Sequence, residues 1–105
     1  MKGAWERVER KKMTVDEVES GIPSTDNWRF DGGTLFKRFE FSNFAESLDF
    51  VNRVGAIAEA SDHHPDITFG WGYVELRTIT HDRGGVTDVD FALVRKIDGL
   101  SREFL

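Results

Sequence analysis

The stretch Asn43–Phe69, NFAESLDFVNRVGAIAEASDHHPDITF, changes its hydrophobic period part-way, and that change decides the fold. Asn43-Phe44-Ala45-Glu46 has the form of a capping box, in which an Asn side chain and a Glu carboxylate close a helix start, with Ser42 as a rival cap. Phe44, Leu48, Val51, Gly55 and Ala58 then follow the spacing of one helix face, and Phe50, Val54 and Ile57 form a second stripe beside it. A helix apolar over so broad a surface needs more than one neighbour: a sheet beneath it, with room for a subunit at its side. The helix ends near Ser61, because Pro65 disfavours helical geometry at His64. From Ile67 the chain reads as strand.

Downstream, Ile67–Phe69 and Tyr73–Ile79 are strands around Gly70-Trp71-Gly72. Tyr73, Glu75, Arg77 and Ile79 share one side, while Val74, Leu76 and Thr78 share the other, as in a sheet with one buried face. Asp82-Arg83-Gly84-Gly85 is a loop, and Thr87-Asp88-Val89-Asp90 opens a last helix with Val89, Leu93, Ile97, Leu100 and Phe104 as its stripe. Upstream, Trp28–Phe30 and the aromatic segment Leu35–Phe41 form a hairpin across the turn signal Asp31-Gly32-Gly33, with Leu35, Phe39 and Phe41 on one parity. Thr14-Val15-Asp16-Glu17 is another capping box, for a short helix stopped by Gly21-Ile22-Pro23. Residues 1–13 are charged and without a clean period, an N-terminal extension to a single domain over 14–105. The predicted fold is α+β: a four-stranded antiparallel sheet with the two longer helices packed on one face, plus the short N-terminal helix. Such a sheet leaves edges and an open face that oligomerisation could cover.

A chain of 105 residues supports one core of this kind and not two. The net charge of −5 argues against a nucleic-acid partner, whose affinity comes from clustered cations. The basic cluster Arg7 to Lys12 is interrupted by glutamates and reads as a solvated tail. With no cysteine, disulfides, thiolate nucleophiles and cysteine-based zinc sites drop out together. No apolar run approaches the ~20 residues of a membrane span, and the first twelve residues lack the apolar segment of a signal peptide. A soluble, cytoplasmic protein without a membrane partner is the expectation.

All three histidines, His63, His64 and His81, fall within nineteen residues. Glu59 lies on the last turn of the long helix before the histidine pair, and Asp90 on the first turn of the final helix. If the strand after Pro65 pairs with the strand before His81, these groups converge at one edge of the domain, as acid/base chemistry near neutrality requires. Each also has a plain reading. His63 and His64 would bond carbonyls at a helix end, Pro65 would be a helix stop, His81 a strand-end residue, and Trp71 core. Asp90 would be the acid of a capping box and Glu59 a solvent-facing residue. A three-histidine metal site is a rival, although neither H-x-H in a strand nor H-x-x-x-H on a helix occurs. No serine stands in a nucleophile-elbow context.

Taken as a set, Glu59, His63-His64-Pro65, Trp71, His81 and Asp90, at these spacings, resemble the signature of the pterin-4a-carbinolamine dehydratases. The flanks Phe39-Glu40-Phe41, Phe44, Thr80-His81-Asp82 and Gly84-Gly85-Val86-Thr87 agree, and the resemblance covers about residues 28 to 98. It implies loss of water from 4a-hydroxytetrahydropterin to give quinonoid dihydropterin, a hydro-lyase reaction that serves tetrahydrobiopterin recycling and uses neither metal nor bound cofactor. It implies a helix-backed antiparallel sheet, assembled as a homodimer or homotetramer, and a functional link to an aromatic amino acid hydroxylase. By similarity, His63 and His81 are the acid/base pair, His64 binds and orients the pterin, and Glu59 and Asp90 tune or hold the histidines. Asp62, His63, His64, Pro65 and the segment Ile79-Thr80-His81-Asp82 contact the ring. The resemblance also carries an alternative of a different class, a non-catalytic protein-binding role in assembly or transcription on the same fold.

Overall fold

The computed structural model describes residues 11–104, with side chains through Leu100. The chain runs α1 (Val15–Gly21), β1 (Arg29–Asp31), β2 (Thr34–Glu40), α2 (Phe44–Ser61), β3 (Asp66–Gly70), β4 (Tyr73–Thr78) and α3 (Asp88–Phe104), with single 3-10 turns at Ile22–Ser24 and His81–Arg83. The strands form one four-stranded sheet in the order β1-β2-β4-β3, every neighbouring pair antiparallel. This is the predicted α+β arrangement, with a strand one residue shorter than expected at Thr78.

Local chemistry accounts for each junction. The two-residue turn between β1 and β2 needs positive φ at both positions, which Gly32 (59°) and Gly33 (79°) supply without a Cβ clash. At α1, Thr14 and Glu17 exchange the reciprocal capping bonds, at 2.8 and 3.2 Å. At α2 Asn43 is the cap, its Oδ1 accepting from the Glu46 N–H at 2.9 Å, while the Glu46 carboxylate reaches one residue further back and accepts from the Ser42 N–H at 2.8 Å. Gly21 serves by close approach, since a Cβ there would lie 2.7 Å from the Phe91 ring of α3. Upstream of α1, the Met13 N–H donates to Val86 O at 2.8 Å, which ties this part of the chain to the domain. Most of the basic cluster Arg7 to Lys12 lies outside the described residues, within which Lys11 and Lys12 are exposed.

Register sorts the two faces of the sheet. Leu35 pairs with Thr78 and Phe39 with Val74 across β2 and β4, so Leu35, Phe39, Val74, Leu76 and Thr78 share the face covered by α2 and α3. Phe50 of α2 is fully buried there, its ring centroid 4.7 Å from Phe39 and 5.1 Å from Phe41. On the opposite face Arg29 and Arg77 lie over the Phe36 ring, at 4.7 and 4.4 Å from its centroid.

Two expectations are corrected. The core face of α2 is Ser47, Phe50, Val54, Ala58 and Ser61, while Phe44 and Leu48 stay 45 and 40% exposed. The inner stripe is completed by two serines, so hydrophobicity alone hid it: Ser47 is satisfied by donating to Asn43 O and Ser61 by accepting from Lys96 Nζ. Trp71 is not core either. It is 71% exposed at the tip of the β3–β4 hairpin. Along α3, Val89, Leu93 and Ile97 are buried as predicted, joined by Phe91 and Val94; the Phe104 side chain lies outside the described residues.

Candidate active site

The site is built where α2 ends, β4 ends and α3 begins. Asp62 adopts the left-handed conformation (φ 54°, ψ 39°) that turns the chain out of α2, a geometry that Asp tolerates better than most residues. The Asp62 N–H then donates to Glu59 O and the His63 N–H to Ala58 O, satisfying helix-end carbonyls. The adjacent imidazoles diverge from this corner. The His63 side chain is only 11% exposed and turns inward, whereas that of His64 is 54% exposed. His64 Nε2 is hydrogen-bonded to the Glu59 carboxylate, as expected for a helix-end acid facing the exit loop.

Behind His63 lies Asp90, fully buried in the first turn of α3. Its Oδ1 accepts from His63 Nε2 at 2.7 Å and from Thr78 Oγ1 at 2.6 Å. Its Oδ2 accepts from Thr80 Oγ1 at 2.7 Å and from the Thr87 N–H at 2.9 Å. Burial pushes this carboxyl upward, but the hydrogen bonds from His63, Thr78, Thr87 and Thr80 outweigh it and hold the group below its ordinary value. An ionised carboxylate only accepts, so His63 carries its proton on Nε2. The same bookkeeping orients the hydroxyls. Thr80 has one proton and gives it to Asp90, so its oxygen accepts from Thr87 Oγ1 at 2.8 Å, and Thr87 Oγ1 in turn accepts from the Val89 N–H.

An open pocket of about 310 Å³ lies over this assembly, lined by Asp62, His63, His64, Ile79, Thr80, His81 and Asp82. Pairing of β3 with β4 brings the two histidine segments together, since Asp66, just after Pro65, stands opposite Arg77, just before Thr78. Of the residues singled out in the sequence, Pro65 is half-buried and does not line the pocket. Glu59 reaches it through His64, and Asp90 through His63. Trp71 sits at the far end of the β3–β4 hairpin, roughly 20 Å along the strands. Among the described residues, no group of three or more His, Asp or Glu side chains is disposed to hold a metal ion. Sequence reasoning missed the hydroxyls of Thr78 and Thr80 as partners of Asp90, while the Thr87 bond is the capping contact expected of it. A signal existed: Thr78 alternates with Leu76 and Val74 on the buried face, and a buried hydroxyl requires an acceptor.

The family model for pterin 4 alpha carbinolamine dehydratase matches residues 11–100. The chain belongs to this family. A Metallosphaera sedula protein that bears the family's name is 40% identical over 91 residues, covering 87% of this chain and 95% of its own. One from Rubrobacter xylanophilus is 45% identical over 86 residues, covering 81% of this chain and 80% of its own. Among solved structures, a transcriptional coactivator/pterin dehydratase from Brucella melitensis superposes with a TM-score of 0.80 at 25% identity, covering 86% of this chain and 98% of that one. A pterin dehydratase-like RuBisCO assembly factor of the alpha-carboxysome superposes at 0.60 with 31% identity, covering 71 and 89%. The sequence relatives thus carry dehydratase names, and the two solved structures of the same fold are named a coactivator/dehydratase and an assembly factor.

Proposed function

We propose that this protein removes water from 4a-hydroxytetrahydropterin to give quinonoid dihydropterin, in recycling of tetrahydrobiopterin. The observation that carries the reading is the buried Asp90 carboxylate on His63 Nε2, beneath a pocket that His64 and His81 also line. The reaction breaks the C4a–O bond, whose leaving hydroxide must be protonated, and removes the proton from N5 as the new double bond forms. A positioned donor and a positioned acceptor each typically contribute about 10²–10⁴-fold. His63 and His81 fill these roles. Asp90 fixes the tautomer of His63, so that proton exchange runs through Nδ1, and Glu59 holds His64 against the pterin ring. Asp62 and the Ile79–Asp82 segment contact the ring from the pocket wall. No metal or bound cofactor enters this scheme. Stopped-flow detection of quinonoid dihydropterin from synthetic carbinolamine tests it, with His63→Ala and His81→Ala each slowing turnover at least a hundredfold. Unchanged turnover in both variants would sink the assignment.

The same reading places the protein in the cytoplasm as a homodimer or homotetramer, its chemistry linked to that of an aromatic amino acid hydroxylase. The exposed outer stripe of α2, with Phe44 and Leu48, favours a second reading in which this face binds another protein; the structural relatives are named a transcriptional coactivator/pterin dehydratase and a RuBisCO assembly factor. A partner retained in pull-down by a His63→Ala/His81→Ala double variant would support it. Loss of that partner on replacing the histidines would not.

A further inference from the structure

We infer that Thr78 is a positioning residue for the reaction proposed above, fixing through Asp90 where the His63 imidazole is held. The inference rests on that reading for its kinetic part only. Thr78 is the last residue of β4, 1% exposed, on the face it shares with Val74 and Leu76. A strand-end residue facing an apolar core has no packing need for a hydroxyl, and burying one without a partner is costly. Here Thr78 Oγ1 lies 2.6 Å from Asp90 Oδ1 and donates to it, the same oxygen that takes His63 Nε2 at 2.7 Å. Thr78 is absent from the pocket wall, so it acts on no substrate directly.

The consequence follows from how the carboxylate is divided. Oδ2 is fixed by the Thr87 backbone and by Thr80, elements that move only with the fold. Oδ1 has one rigid donor, Thr78, and one that must stay responsive, His63. Removing Thr78 Oγ1 leaves Oδ2 anchored but takes from Oδ1 its one rigid donor, so that oxygen is positioned against His63 alone and more of its charge falls to the imidazole. The imidazole then sits against a less constrained acceptor and shifts from its wild-type position. That displacement slows the chemical step, whichever proton His63 moves, and leaves binding nearly untouched.

Thr78→Val tests this, because valine matches the shape of threonine and lacks only the hydroxyl. Thr78→Ser restores the donor without the methyl group. The expected result is kcat reduced about ten- to hundredfold in the valine variant with KM within about twofold. The serine variant returns most of kcat, and the His63 Nε2–H proton resonance moves in the valine variant and returns in the serine one. If the valine variant does not fold, Thr78→Ala and Thr78→Ser form the same comparison. An unmoved His63 resonance overturns the inference, as does a valine variant with wild-type kcat, or a loss that serine does not rescue. A wild-type protein without turnover defeats the proposed function instead. The resonance then still decides whether Thr78 positions His63.

Discussion

Replacing Asp90 with asparagine keeps the shape of the side chain and removes its charge, at a point where His63 Nε2, Thr78 Oγ1, Thr80 Oγ1 and the Thr87 N–H all donate. An amide has one acceptor oxygen, so its NH₂ group must confront two of those donors. Facing Oδ2's partners, it would meet the Thr87 backbone N–H, which cannot turn into an acceptor. Facing Oδ1's partners, it meets a hydroxyl that can rotate and an imidazole that can change tautomer. The second arrangement wins. It forces His63 to accept at Nε2 and carry its proton on Nδ1, opposite to the wild-type state. Hydrogen bonds to a charged group contribute about 1.5–3 kcal/mol each and neutral ones about 1, so the variant loses about 2–4 kcal/mol of stability. For a domain of this size that lowers Tm by about 10–20 °C. With the proton on the wrong nitrogen, kcat falls about 10²–10⁴-fold, while KM changes little because Asp90 does not line the pocket. Stopped-flow kinetics and ¹⁵N chemical shifts of the His63 ring read both effects. A protonated Nε2 in the variant, with kcat within about threefold of wild type, would refute the reasoning.

Other predictions concern stability. Asp90 is ionised below the ordinary carboxylate range in the folded protein, so its contribution is complete above about pH 4 and is lost as pH falls through its folded value. Acid titration of unfolding should show a steeper loss below about pH 4 in wild type than in Asp90→Asn, and equal slopes would contradict the donor set. Phe50→Ala removes the fully buried ring between Phe39 and Phe41 and should cost about 3–5 kcal/mol in urea unfolding, with a value below about 1 arguing that the core is elsewhere. Trp28→Phe removes the indole N–H that donates to the buried Asp98 carboxylate at 2.8 Å, and should destabilise by about 1–3 kcal/mol; a neutral change would mean that Asp98 does not depend on it.

The sequence made the frame of this molecule legible because its period changes are sharp. The alternation of Val74, Leu76 and Thr78, the capping pairs at Thr14 and Asn43 and the stop before Pro65 each act within a few residues, where local chemistry decides. Convergence of the histidine segments was also legible, given one assumption about strand pairing. What escaped depended on contacts between distant segments. Ser47 and Ser61 look like surface residues until a neighbour satisfies their hydroxyls. Asp98 looks like a solvated acid until Trp28 and the Asp26 N–H, some seventy residues away, are brought to it. Asp90 read equally well as a capping acid or as a partner of histidine. It is both, because the carboxylate oxygens divide the work: Oδ2 takes the Thr87 cap and Oδ1 takes His63. Trp71 misled in the other direction, since an aromatic residue between two glycines can lie at a hairpin tip and remain exposed.

The central claim is that His63, held by Asp90, and His81 move protons on a carbinolamine. The most direct measurement is single-turnover formation of quinonoid dihydropterin by wild type, His63→Ala, His81→Ala and the double variant. The account predicts fast turnover in wild type, a loss of at least a hundredfold in each single variant, and a double variant little slower than the worse single one, since both groups serve one reaction. Wild-type turnover no faster than the uncatalysed reaction, or single variants that match wild type, would contradict it.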